Sequence, residues 1–256
     1  MSMFKKLLAS VGIGAATVDT RLYNDALIPG EMLNGEVHIT GGDTSQDIED
    51  IYLKVVTEYK RETDETTVIE ECILVKYCLS EPFSLYPKEA KVIPFSLQLP
   101  YETPLTVGHQ PVYVRTGLDI SLAIDPKDKD YIEVHPHPLM QLVLEGLESL
   151  GFQLHKVDTE YNPHLGGRYP FIQEFEFKPI GKYQGYLDEL EVIFALNSDD
   201  LDVLIEIDRR ARGFGGFLAE AFDMDERYVR CRVTSVDLNY PQDVEAMLDN
   251  LIQSRI

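Results

Sequence analysis

Residues 112–124 read VYVRTGLDISLAI. Val112, Val114, Leu118, Ile120, Leu122 and Ile124 fall on one side of a two-residue period, with Arg115, Asp119, Ser121 and Asp125 on the other. Such alternation marks a half-buried strand of an antiparallel sheet. It decides the fold class because the same rhythm recurs on both sides of it. Upstream, Ile51, Leu53, Val55 and Tyr59 oppose Lys54, Glu58 and Lys60, and Val92, Phe95, Leu97 and Leu99 follow in a short segment bounded by prolines. Downstream, Phe171, Phe175 and Phe177 alternate with Ile172, Glu174, Glu176 and Lys178. Leu190, Val192, Phe194 and Leu196 form a further face. Leu201, Val203, Ile205 and Ile207 oppose Asp202, Glu206 and Asp208, and Val229, Cys231 and Val233 make a later strand. Turn-forming pairs separate the runs: Pro29-Gly30, Asn34-Gly35, Gly41-Gly42-Asp43, Pro100 to Pro104 and Asp125-Pro126. Strands and turns at this spacing predict an all-β chain of β-sandwich type.

The rhythm breaks at Val134 to Pro138, VHPHP, whose prolines predict a stiff extended connector. Pro138 suits the first position of a helix. Leu139, Met140, Val143, Leu147 and Leu150 supply its apolar stripe, and Gly151 its stop. The domain boundary is placed here, giving domains 1–134 and 135–256, each long enough for its own core. A second helix opens at Pro241, with Val244, Met247, Leu248 and Leu251 on one stripe. At the N-terminus, Phe4, Leu7, Leu8 and Val11 share one helical face, predicting a short amphipathic helix over residues 2–11. Lys5-Lys6 and the small residues after them have a signal-peptide look, but Ser10, Gly12 and Gly14 interrupt the apolar run.

The 256 residues carry 44 Asp and Glu against 23 Lys and Arg, a formal net charge of −21. That excludes a nucleic-acid binder driven by phosphate neutralisation and opposes broad docking on anionic lipid, while favouring basic partners. No apolar run approaches the ~20 residues of a membrane span. Cys72, Cys78 and Cys231 are odd in number and lack a CxxC spacing, so they make neither a disulfide framework nor a zinc ribbon and read as reduced core thiols.

Candidate chemistry is sparse. Glu133, His135 and His137 share one face of an extended segment, and a Glu/His/His set can hold zinc or a similar ion. Pro136 and Pro138 interleave them, so the plainer reading is a structural linker. Asp125, Asp128 and Asp130 in DPKDKDY lack the calcium-loop spacing and read as a solvated hairpin turn, as does the cluster Asp199, Asp200 and Asp202. RGFGGF at 212–217 resembles part of an RNA-binding strand, but Gly216 spoils its alternation and the chain is acidic. Arg209, Arg210 and Arg212 stand out as basic residues in an acidic chain: they either pair with Glu206 and Asp208 or capture an acidic segment or phosphate of a partner. By period, Glu174 and Glu176 lie on a solvated face, without acid–base tuning. No nucleophile–base spacing, GxSxG, HExxH or phosphate-binding loop is found, and Gly12-Ile13-Gly14 is not a nucleotide loop.

Several segments together resemble one family. Phe4 to Ser10 with Gly12 to Ala16 and Val18-Asp19-Thr20 are similar to the opening of bacterial sporulation-control proteins of the SpoOM type. Pro29-Gly30-Glu31 with Gly35 and Val37 resembles an arrestin-type turn and strand. Ile93-Pro94-Phe95, Leu99-Pro100, Pro104, Tyr113 to Thr116, Leu118 to Ile120 and Val134-His135-Pro136 fit the same family. So do Gln173, Phe175 to Phe177, Glu189 to Val192 and Ile207 to Arg210. The resemblance implies two tandem arrestin-like, immunoglobulin-like β-sandwiches, a cytoplasmic location and a regulatory role in sporulation. It implies no enzyme activity, no catalytic residue and no cofactor. The expectation is an adaptor or scaffold for protein partners, with no nucleic acid. Partner contact is assigned to Phe4, Lys5, Lys6, Leu7 and Leu8, then to Arg209, Arg210 and Arg212. Pairing of strand edges into a homodimer, peripheral membrane contact through the N-terminal helix, and the Glu133/His135/His137 metal site are the alternatives.

Overall fold

The computed structural model describes residues 15–120, 126–209 and 228–256. The expected N-terminal helix and the end of the opening stretch, Leu122 and Ile124, lie outside them. The described strands run β1 (Thr17–Leu22), β2 (Ala26–Leu27), β3 (Met32–Thr40), β4 (Gln46–Glu62), β5 (Thr67–Cys78), β6 (Phe83–Leu85), β7 (Ala90–Gln98), β8 (Val112–Ile120), β9 (Lys127–Tyr131) and β10 (Glu133–Val134). Then come α1 (Pro138–Ser149), β11 (Phe152–Tyr161), β12 (Phe171–Pro179), β13 (Leu187–Leu196), β14 (Asp200–Arg209), β15 (Tyr228–Thr234) and α2 (Pro241–Gln253). The chain is mostly β, as the alternation requires.

It divides into two compact units. The first comprises Met1–Glu58, Glu70–Thr106 and Pro111–His135; the second takes Pro136–Ile256 together with Tyr59–Ile69 and Val107–Gln110.

In the first unit, β1, β3 and β7 form one antiparallel sheet, while β4 pairs with β8 and β8 with β9, and β5 and β6 pair with β4. Ile51, Leu53, Val55, Val114 and Leu118 are fully buried, as are Leu33 and Val37 from the other sheet. Burying such a side chain contributes ~1.5–3 kcal/mol, so the apolar phase of each strand fixes which face turns inward. The Thr20 and Thr116 hydroxyls meet at 2.6 Å, and the Thr20 backbone N–H donates to Asp128 at 2.6 Å, tying β1 to β8 and β9. Val92 departs from its expected face. It sits one step out of phase with Phe95 and Leu97, and is 49% exposed while they are buried.

In the second unit, β11 to β15 pair consecutively as an antiparallel sheet. The β4–β5 hairpin tip joins this unit: Lys60 pairs in register with Glu160, and Tyr59 stacks on Phe171 at 5.7 Å. Helix α1 starts as its sequence requires. Pro138 opens it, the His137 imidazole Nδ1 accepts the Leu139 N–H at 3.3 Å, and Gly151 follows it at φ +85°, where a side chain is strained. Leu139, Met140, Val143 and Leu147 are buried. In α2 the buried stripe is Val244, Leu248 and Ile252, a slight rotation from the expected one that leaves Met247 and Leu251 half-buried.

Candidate functional site

Phe4, Lys5, Lys6, Leu7, Leu8, Arg210 and Arg212 lie outside the described residues, as does the Arg209 side chain. Arg209 ends β14, its backbone in register with Leu187. Of the Glu/His/His set, His135 Nε2 and Glu133 approach to 3.7 Å, both well exposed. His137 instead caps α1, and partial burial lowers its pKa. Among the described residues, no group of three or more His, Cys, Asp or Glu is placed to hold a metal ion.

Three local expectations are corrected. KDKDY is not a turn but strand β9, with Tyr131 in register with Tyr113 and Lys129 with Arg115. Asp128 and Asp130 are half-buried, and desolvation plus Asp128 raises Asp130 to about 6. Cys78 is not a core thiol: it is exposed, and its Sγ donates to Asp50 at 2.6 Å. Nor is Glu174 on a freely solvated face. Burial, then the neighbouring Glu191 carboxylate, pushes it up to about 8.

That last correction exposes an organised surface in the second unit. Glu176, Glu191, Glu206 and Tyr228 stand directly opposite one another on β12 to β15. Beside them Ile172, Ile193 and Leu204 form a small apolar island, packed against Leu165 and Tyr228. The island removes water from its acidic neighbours, which is why burial raises Glu174, Glu191 and Glu160. At the margins charges are neutralised: Lys178 meets Glu176 at 2.9 Å and also Glu189, and Arg232 grips Asp202 through two bonds of 2.9 and 3.0 Å.

The first unit bears an opposite surface. On the face of β4, β8 and β9 that carries Arg115, three rows follow from the register, with Val56 and Tyr113 of the first fully buried. Val56, Tyr113 and Tyr131 make one, Lys54, Arg115 and Lys129 the next, and Tyr52, Gly117 and Lys127 the third. Lys129 Nζ lies 3.6 Å from the Tyr113 ring centre and 4.8 Å from that of Tyr131. Lys54 and Lys76 both lie over Tyr52, at 4.5 and 5.1 Å. Gly117 is required here, because a Cβ would overlap the Tyr52 ring. Glu71 accepts from the Tyr113 hydroxyl at 2.7 Å and pairs with Arg115. Burial, then Lys76, Arg115 and Lys127, lowers the Lys54 pKa. Such a surface sets positive charge beside aromatic rings. Sequence reasoning misses it because only the register brings Lys54, Arg115 and Lys129 side by side.

Along α2 runs a shallow, open depression lined by Asp243, Ala246, Met247, Asn250, Leu251 and Ser254. Among the described residues, no helix is long and apolar enough to cross a membrane.

A family model described as SpoOM protein matches residues 4–211. The chain belongs to the SpoOM family. This SpoOM chain is 44% identical over 253 residues to the sporulation-control protein spo0M of Bacillus subtilis (strain 168), with 98% of each chain covered. The crystal structure of Spo0M, sporulation control protein, from Bacillus subtilis superposes with a TM-score of 0.86 at 41% identity, covering 95% of this SpoOM chain and 100% of that one.

Proposed function

We propose that this SpoOM-family chain is a non-enzymatic, cytoplasmic regulator of sporulation that works as an adaptor or scaffold for protein partners. The observation that carries the reading is its end-to-end likeness to a relative named as a sporulation-control protein. In this reading each unit is an arrestin-like, immunoglobulin-like β-sandwich, with domains 1–134 and 135–256, and partners are held on strand edges and outer faces. Edges suited to accepting a partner's strand, or a second copy's, support it: among the described residues, β1, β7, β9 and β15 each end a sheet path. The segment from Phe4 to Leu8 and the Arg209, Arg210 and Arg212 cluster remain the first-named contacts on sequence grounds.

The test is deletion of the gene in its spore-forming host, with affinity capture by the intact chain from sporulating and growing cells. Altered spore yield restored by the full chain, with a partner set that changes between the two states, is expected. Unchanged spore yield together with an identical capture profile overturns the reading.

A further inference from the structure

Resting on the adaptor reading, we infer that the face of β4, β8 and β9 that carries Arg115 docks an extended, carboxylate-rich segment of a partner protein. Lys54, Arg115 and Lys129 are directly opposite on three adjacent strands, an arrangement that destabilises a sheet unless something neutralises it. With Lys76 and Lys127 they are five of the chain's 23 basic residues, gathered on one face of a molecule whose net charge is −21. Glu71 answers the row from within, but it is already engaged by Arg115 and Tyr113. Among the described residues, Lys54, Lys76, Lys127 and Lys129 make no ion pair. Asp50 and Asp119, directly opposite each other, stand one row beyond Tyr52 and Gly117, so the cationic stretch is bounded at that end.

Glu71 pairs with Arg115, so Lys54 and Lys129 have no carboxylate within ion-pair distance among the described residues and are left to one from outside. The spacing selects the form of the anion. Lys127 and Lys129 point the same way two residues apart on β9, the repeat at which an extended peptide presents alternate side chains, ~6.6–6.8 Å. Strand-to-strand, the row repeats at ~4.8 Å, within reach of flexible carboxylates. The exposed Tyr131 ring and half-buried Tyr52 offer flat apolar area between the cations for aliphatic parts of such a segment. An anionic bilayer or a nucleic acid would carry its charge over a far larger area and meet the repulsion of the whole acidic surface. A short acidic segment meets only this face.

The probe is a fluorescein-labelled peptide of alternating Glu and Ser, about ten residues long, matched to the strand repeat. Its anisotropy is followed on titration with the full chain at low and physiological salt. Binding is expected, weakening steeply with salt, and falling by about tenfold or more in the double variant Lys127→Glu/Lys129→Glu. Because Lys129 touches two rings, Lys54→Gln/Lys127→Gln is measured beside it, with circular dichroism confirming native sheet in both, and a weaker loss is expected there. Equal affinity in the variants overturns the proposal. So does binding only to phosphatidylserine vesicles or oligothymidylate, or a charge-dependent self-association seen by sedimentation in place of peptide binding. Failure here leaves the adaptor reading intact, since that depends on spore yield and capture by the intact chain. Conversely, an unaltered spore yield with peptide binding preserved counts against the adaptor reading alone.

Discussion

The two units answer the same electrostatic problem in opposite ways. On the first, Lys54, Arg115 and Lys129 stand in a row across three strands; on the second, Glu176, Glu191 and Glu206 do the same. Like charges directly opposite cost a sheet stability in both cases. The carboxylates have an internal remedy. Lys178 meets Glu176, and beside the Ile172–Ile193–Leu204 island burial raises Glu191 and the neighbouring Glu174, the latter to about 8. The cations have only Glu71, which pairs with Arg115. They remain charged, at the surface, over tyrosine rings. The acids are thus answered within their unit by burial and by Lys178, whereas of the bases only Arg115 has a carboxylate partner among the described residues. That contrast favours the cationic face as the one left for a partner.

The acidic face loses most if the apolar island beside it is removed. Ile193→Ala leaves a cavity beside the acidic row and is expected to destabilise the second unit by ~2–4 kcal/mol. Water entering that space also rehydrates Glu174, so its pKa should fall back toward the ordinary carboxylate range. Urea unfolding at two pH values reads both effects. A loss of stability that leaves the pH dependence unchanged would show that the island is not what desolvates the acids.

Next in size is Glu174→Gln, which keeps the shape and deletes the titration. The folded-state pKa of Glu174, about 8, lies above its ordinary value. Below that ordinary value the group is neutral in both states and costs nothing. As pH rises toward 8 the unfolded chain releases its proton first, so stability falls across that window and stays low above it. The substitution should therefore raise stability above pH ~8 by about 2 kcal/mol, once solvent screening at a half-buried position is allowed for, and do little near pH ~4. A shallower slope should persist up to about pH 6 from Asp130, which is raised by its own burial and by Asp128. If wild type and variant share one slope from acid to alkaline pH, the proton-holding account of the acidic row fails.

How much of this was legible beforehand follows from what a two-residue period can carry. It places Ile51, Leu53, Val55, Val114 and Leu118 in the core, because each strand's apolar phase is local information. It also places Glu174 outside, which is right about the face and silent about what lies over it. Leu165 comes from the loop after β11, and no periodicity brings it to the island. KDKDY reads as a turn because its composition is turn-like, and only pairing with β8 makes it a strand. Cys78 reads as core because free thiols usually are; it is exposed, and Asp50 receives its S–H. The cationic row is the least legible feature of all. Its members come from separate strands, and a one-residue slip in either pairing would scatter them to opposite faces.

The smallest expected effect falls on Lys127. Lys127 lies in register with Gly117, adds to the repulsion on Lys54, and makes no ion pair among the described residues. Removing its charge sacrifices no contact of that kind, so Lys127→Gln should stabilise the first unit by roughly 0.3 kcal/mol at low salt. The gain should vanish as salt screens the row, since the Debye length falls from ~30 Å at 0.01 M to ~3 Å at 1 M. Paired chemical denaturation at the two salt concentrations makes the measurement. A row of bases in which only Arg115 has a carboxylate partner must gain from losing a member. If Lys127→Gln is neutral or destabilising at low salt, the row is already neutralised in the free protein, and the contrast between the two faces collapses with it.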